Sequence, residues 1–408
     1  MRRIAVLALA VVGVAALLAV GAWRLTRQPP FFDHFTARLV GGTDSARTTV
    51  PPPLAVTTAL GGGSTEGFER AVATRRFIFP EDHGPHGAYR TEWWYYTGNL
   101  ETAAGRHFGF QLTFFRIGLA STMPARASAW ASREAYMAHF ALTDTAGTRF
   151  SAASRLSRAA LGLAGAQAAP FRVWVEDWSA EGVTGDAAPV RLSAAEDDVA
   201  IDLVLESDKP VVLQGERGLS RKGPEPGNAS YYYSLTRMPA RGRVTVRGER
   251  FEVRGLAWMD REWSTSLLSP GLTGWDWFAL QLADGRELML YQLRRSDGSA
   301  DHFSGGSLVA TDGSSRALAV EDFQIQALGT WTSPRGGTRY PSRWRVTIPR
   351  ERIQLDVTPR LPDQELALAV RYWEGAVRVE GSAGGRPIGG VGYVELVGYA
   401  RASATIKE

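Results

Sequence analysis

The chain has 408 residues, 44% hydrophobic and 22% charged, a balance that excludes a mainly disordered or fibrous protein. Arg2, Arg3, Arg24 and Arg27 account for the whole formal net charge of +4, so residues 28–408 are neutral overall and carry no charge signal for nucleic acid. The absence of cysteine excludes disulfides, thiolate metal sites, a cysteine nucleophile and the lipidation cysteine of a lipoprotein.

Residues 1–27 open with Arg2 and Arg3 and continue in an uncharged apolar run from Ile4 to Trp23. Such a run is long enough to cross a bilayer core of ~30 Å as a helix. It also suits the core of a signal peptide, with Val20-Gly21-Ala22 as a small-residue cleavage site. An uncleaved anchor is favoured, and either use places the remaining chain on the periplasmic side of a bacterial envelope, anchored or secreted. Residues 28–67 form a flexible linker, punctuated by Pro29-Pro30, Pro51-Pro52-Pro53 and Gly61-Gly62-Gly63. From Phe68 onward, short alternating or apolar runs rich in aromatic and β-branched residues recur between Gly, Pro, Asp and Asn. Phe108–Phe115, Val199–Leu205, Phe251–Trp258, Trp275–Leu282 and Ile353–Val357 are examples. This pattern predicts an all-β body of antiparallel sheets closed as barrels or sandwiches. A few helical turns are expected near Ala127–His139 and Ser151–Leu161.

Two stretches resemble each other. Trp93–Leu100 runs through Gly105-Arg106 into Phe108–Phe115, and Trp275–Leu282 runs through Gly285-Arg286 into Leu288–Leu293. Superposing these hairpins sets Trp93 on Trp275, Tyr95 on Trp277 and Tyr96 on Phe278. The echo predicts two related β-domains, 68–240 and 241–408. Alternation along a strand places Asp276, Phe278, Leu280 and Leu282 on one face and Trp275, Trp277, Ala279 and Gln281 on the other. The equivalent first face in the first hairpin carries Glu92, Trp94, Tyr96 and Leu100. Each repeat is therefore expected to send one carboxylate toward an aromatic interior, where burial raises its pKa and suits it to act as a general acid.

Three stretches resemble the signatures of a known family: Asp82-His83-Gly84-Pro85-His86 with Thr91-Glu92-Trp93-Trp94-Tyr95-Tyr96; Trp258-Met259-Asp260-Arg261-Glu262-Trp263 with Gly274–Phe278; and Gly392–Tyr399. The family is the AttH-like, carotenoid 1,2-hydratase-like group, often labelled predicted secreted hydrolases. Over about residues 68–408 the resemblance implies two lipocalin-like (calycin-type) antiparallel β-barrel domains. It also implies one of two roles: hydration of the terminal double bond of acyclic carotenoids, or service in the envelope beside ABC-transporter components. The N-terminal segment departs from the carotenoid-hydratase pattern, and no hydrolase nucleophile is evident.

Adding water to an isolated C=C bond requires a strong proton donor and stabilisation of a cation. A protonated carboxyl and aromatic faces supply these. Asp276 is the first candidate acid, with Trp258, Trp263, Trp275 and Trp277 near it in sequence; its other reading is a turn cap or an Arg-paired domain contact. Alternation sets Trp258, Asp260 and Glu262 on one face and Met259, Arg261 and Trp263 on the other. Asp260 and Glu262 either share a proton, hold a metal or form an Arg-paired lock. Glu92 beside Trp93, Trp94 and Tyr96 carries the same ambiguity and leans structural. His83 and His86 lack a third ligand fixed by spacing, so neither a metal nor a cofactor is expected. The leading expectation is an envelope protein that binds an apolar isoprenoid or lipid. A hydratase or lyase, or a non-catalytic partner of a transporter complex, are the alternatives.

Overall fold

The computed structural model describes residues 64–123, 128–266 and 268–400. The expected N-terminal helix and most of the linker lie outside these residues. Among the described residues no helix is long and apolar enough to cross a membrane.

The first domain opens with β1 (Thr91–Glu101) and β2 (His107–Gly118), followed by β3 (Glu134–Asp144) and β4 (Arg149–Arg158). Short strands β5 (Ala164–Gln167), β6 (Arg172–Val175), β7 (Trp178–Gly182), β8 (Val190–Glu196) and β9 (Val199–Leu205) continue it. After β10 (Val212–Leu213) and β11 (Leu219–Arg221), two long strands, β12 (Ala229–Val246) and β13 (Glu249–Ser264), complete the set. Their order is β4-β3-β2-β1-β13-β12-β9-β8-β7-β6-β5, with β10 and β11 on β12. The two ends of this sheet return toward each other, β3 and β4 lying against β5 and β6, so the barrel is nearly closed. Its interior holds Trp94, Tyr96, Phe110, Leu112 and Trp263. Helical turns were expected across much of β3 and β4. There Tyr136, Ala138, Phe140 and Leu142 enter the barrel core with a period of two, and β4 pairs with β3 along its whole length, so ladder pairing overrides the helix propensity of the alanines.

The second domain is built from β14 (Leu272–Leu282), β15 (Glu287–Arg295), β16 (Gly305–Val309), β17 (Ser315–Ala319), β18 (Gln324–Ala327), β19 (Thr330–Thr332), β20 (Arg339–Pro341) and β21 (Trp344–Ile348). It continues through β22 (Ile353–Pro359), β23 (Glu365–Ala367), β24 (Arg371–Ala383) and β25 (Arg386–Leu396). The main sheet runs β17-β16-β15-β14-β25-β24-β22-β21-β18 and curls around Phe278, Leu290, Val346, Leu355, Val377 and Val394. All pairings are antiparallel, which gives two lipocalin-like barrels. The change of sheet falls between Ser264 and Leu272, whereas the sequence placed the junction at 240/241, inside β12.

Both aromatic hairpins form. Trp93 sits opposite Phe115 and Trp275 opposite Leu293. Each turn uses a glycine at positive φ, Gly105 at +82° and Gly285 at +86°, where a Cβ would be strained. The aromatic strand of each hairpin also pairs with the last strand of its own domain, β1 with β13 and β14 with β25.

The barrels meet through the faces that point away from their cores. Tyr95, Tyr232 and Trp258 of the first domain share one cluster with Trp277, Met289 and Tyr393 of the second. A Cβ on Gly109 would come within 2.5 Å of the Ala376 Cβ, so glycine there lets β2 approach β24. Asn99 Nδ2 donates to Gly392 O at 2.9 Å, and Gln281 Nε2 donates to Thr236 O at 2.8 Å. The fully buried Glu287 of the second domain accepts from Lys209 Nζ at 2.7 Å and from Arg237 Nε at 2.5 Å, both of the first. Removing one partner of such a buried pair strands a charge, so this contact locks the docking.

Candidate active site

A cavity of about 90 Å³ lies between the two barrels. The first domain contributes Trp93 and Tyr95 from β1, Tyr232 from β12, and Asp260 and Glu262 from β13. Facing them are Trp275 and Trp277 from β14, Glu374 from β24 and Glu395 from β25, with Lys222 on a loop at the edge. Strand register makes this grouping. Tyr95 stands opposite Asp260 and Trp93 opposite Glu262, while Trp277 stands opposite Glu395 and Glu395 opposite Glu374. The Tyr95 and Trp277 rings meet edge to face across the domain boundary, 5.2 Å between centroids.

Asp260 is buried and held by three donors. Ser234 Oγ and Tyr232 Oη each donate at 2.5 Å, and Trp258 Nε1 donates at 2.7 Å. Burial and the neighbouring Glu262 push its carboxyl up to about 7 against the pull of these hydrogen bonds. Glu395 accepts one hydrogen bond, from Trp275 Nε1 at 2.9 Å. Burial, then the charges of Asp260 and Glu262, push it up to about 7 as well. Glu374 is fully buried, with the Tyr95 and Tyr372 hydroxyls beside its carboxyl. Burial, then the charge of Glu395, raise it well above the ordinary carboxylate range against the pull of those hydroxyls. Near pH 7 the cavity therefore holds both a proton donor and a proton acceptor among apolar rings, the provision that acid–base catalysis requires.

These raised values have a cost that can be measured. The folded pKa of Glu395 lies above its ordinary value, so its contribution to stability is fully present below about 4.5 and is lost as pH rises through about 7. Glu395→Gln removes that loss. The stability of the variant relative to the parent is expected to rise by about 2–3 kcal/mol between pH 5 and pH 8 in urea unfolding. A flat difference over that range would place the carboxyl in a solvated setting.

A family model for AttH-like proteins matches residues 70–399. A crystal structure of an AttH protein from Nitrosomonas europaea is 36% identical, covers 82% of this chain and 100% of its own, and superposes with a TM-score of 0.73. The chain belongs to the AttH-like family. Kievitone hydratase from Nectria haematococca shares the fold at 15% identity and a TM-score of 0.61, over 81% of this chain and 98% of its own. Among curated proteins, none matches the chain.

In this AttH-like chain the residues singled out from sequence divide by face. Asp260, Glu262, Trp93, Trp275 and Trp277 line the cavity, and Trp258 stands behind Asp260 as a donor. Trp94, Tyr96 and Trp263 point instead into the first barrel. Glu92 joins them there, fully buried, and pairs with Arg116 and Arg261. The expected rise of its pKa is reversed. Burial pushes the carboxyl up, but the two guanidinium groups and His86 outweigh burial and hold it well below the ordinary range. Asp276 faces a separate polar pocket of about 230 Å³ on the second barrel. It pairs with Arg294 and accepts from Tyr399 Oη at 3.0 Å, and burial still pushes it up to about 6. His83 Nδ1 lies 2.6 Å from Tyr233 Oη, and burial pulls its ring down to about 4. The His86 ring stacks on Trp263 at 3.7 Å.

Sequence reasoning passed over Glu374, Glu395, Tyr232 and Lys222. Glu395 lay within the quoted Gly392–Tyr399 stretch, and alternation sets it on one face with Tyr393. Lys222 was marked by rarity, as one of three lysines among 46 basic residues.

Proposed function

We propose that the chain catalyses proton transfer to a carbon–carbon double bond of an apolar substrate, as a hydratase or the reverse lyase, in the cavity between the barrels. One observation carries this reading: Asp260 and Glu395 reach one aromatic cavity from different domains, both with pKa values near 7. In the forward direction the Glu395 carboxyl gives its proton to one alkene carbon. The cation that develops on the other carbon is stabilised by the faces of Trp275, Trp277 and Tyr95. A water oxygen bonds to that carbon as its surplus proton passes to the Asp260 carboxylate, so the product has gained one water. Asp260, with three donors, is suited to be the base, and Glu395, with one donor, to be the acid. The hydratase from Nectria, built on the same fold, lends support. Asp276, tied to Arg294 in another pocket, is set aside for this role.

The cavity is smaller than the ~150 Å³ engineered cavity that holds benzene. It therefore suits the reacting end of a longer molecule rather than the whole. The same apolar wall supports a second reading, carriage of an isoprenoid or lipid without turnover. The apolar run Ile4–Trp23 supports an envelope location, tethered or secreted, for either activity.

The test uses the full chain in detergent with lycopene and with geranylacetone as probes, in ¹⁸O-labelled water. Hydration is expected to place the label in a new hydroxyl group, read by mass spectrometry. Tryptophan quenching without incorporation would favour carriage. Absence of both would count against both readings.

A further inference from the structure

Resting on the proposed reading of the interdomain cavity, we infer that Lys222 selects a substrate with a neutral acceptor oxygen, such as a carbonyl or hydroxyl, close to the reacting double bond. The Lys222 side chain lines the cavity and is 14% exposed. Its backbone is pinned, the amide donating to Asn228 O at 2.8 Å, so the side chain leaves a fixed point. The ammonium lies 3.2 Å from Glu262 Oε1 and faces the rings of Tyr291 at 4.8 Å and Tyr232 at 5.6 Å. Burial works against its charge and Glu262 outweighs burial, so the group remains an ammonium.

An ammonium has three N–H donors and no acceptor. Among the described residues Glu262 is its only polar partner, which leaves two donors served by aromatic faces or by solvent. A pure hydrocarbon entering the cavity would strip water from those donors and return nothing. A ligand oxygen would restore a charge-assisted hydrogen bond. The oxygen should be neutral, because a ligand carboxylate would add an anion beside Glu262, Asp260 and Glu395 in a low-dielectric space. It should also be near the chemistry. The Tyr232 ring that faces Lys222 carries the hydroxyl that donates to Asp260 at 2.5 Å. Lysine in place of the arginine used almost everywhere else fits a point charge that reaches one atom rather than a planar fork that clamps two.

The test measures affinity by tryptophan quenching on the full chain, with geranylacetone and with the hydrocarbon of the same carbon skeleton. The parent is expected to bind the ketone roughly 10- to 100-fold more tightly than the hydrocarbon, the usual worth of a hydrogen bond to a charged group. Lys222→Met should bring the two affinities together. The double variant Lys222→Met/Glu262→Gln, which leaves no buried carboxylate unpaired, should do the same if the single variant folds poorly. Equal binding of the two probes by the parent overturns the inference and leaves the proposed chemistry standing. A preference that survives in both variants also overturns it. Failure of the parent to bind either probe overturns the inference together with the reading of the cavity.

Discussion

Asp260→Asn is expected to lower probe hydration by about 10²–10⁴-fold, the usual contribution of a positioned general base. The hydrogen bonds around Asp260 explain why so conservative a change acts so strongly. Ser234 and Trp258 donate to one carboxyl oxygen and Tyr232 to the other. Asparagine has one acceptor oxygen and an NH₂ group, so the oxygen can serve Ser234 and Trp258 only if the NH₂ faces Tyr232, whose hydroxyl must then accept instead of donate. The variant cannot take a proton at this position. Both carboxyls of the proposed pair have values near 7, so the parent should show a bell-shaped rate profile centred near neutrality. Asp260→Asn should flatten the acid limb that belongs to the base. Turnover within threefold of the parent, in protein with an unchanged unfolding transition, would remove Asp260 from the mechanism.

The second large effect is on stability. Glu92→Gln is expected to destabilise the fold by about 3–5 kcal/mol, because it leaves the buried Arg261 without a carboxylate and Arg116 with only its longer contact to Glu134. Both Arg116 and Arg261 are fully buried, and Glu92 is the carboxylate they share. Other contacts replace it only in part. Arg116 keeps a longer contact with the Glu134 carboxylate at 3.4 Å and donates to Tyr89 O at 2.6 Å, whereas Arg261 packs over Trp94 at 3.9 Å and has no second carboxylate among the described residues. The pH dependence has the opposite sign to that of Glu395. The folded pKa of Glu92 is depressed, so its contribution is present above its ordinary value and is lost as pH falls toward the folded one. Urea unfolding of parent and variant should therefore converge in acid. A loss below about 1 kcal/mol at pH 7 would mean that solvent reaches the arginines.

The sequence carried the strands, the echo of the two hairpins and the assignment of side chains to faces, because alternation is a local property of a β-strand. Trp258, Asp260 and Glu262 do share a face, and Phe278, Leu280 and Leu282 do enter a barrel. What alternation leaves open is what each face meets. In a barrel that stands alone the outer face is wet, so Glu92 and Asp276 on the inner faces looked like the buried acids. Here the outer faces are buried against each other, and the cavity is there. Glu395 lies 135 residues beyond Asp260, and no local pattern joins them. Glu92 shows a different limit: its neutralising partners sit on β2 and β13, visible only once register is known.

The registers relate the two acids to one another. Tyr95 and Trp277 occupy equivalent places in the two hairpins, and they touch. A contact between equivalent positions is what an approximate two-fold axis between the barrels produces. On that axis Asp260, opposite Tyr95, is the counterpart of Glu395, opposite Trp277. Ser234, opposite Asp260, is likewise the counterpart of Glu374, opposite Glu395. The two acids therefore hold equivalent places in the two sheets. The two places differ in what stands beside the acid: Ser234 donates to Asp260, whereas Glu395 faces a second carboxyl, Glu374, whose pKa it helps to raise.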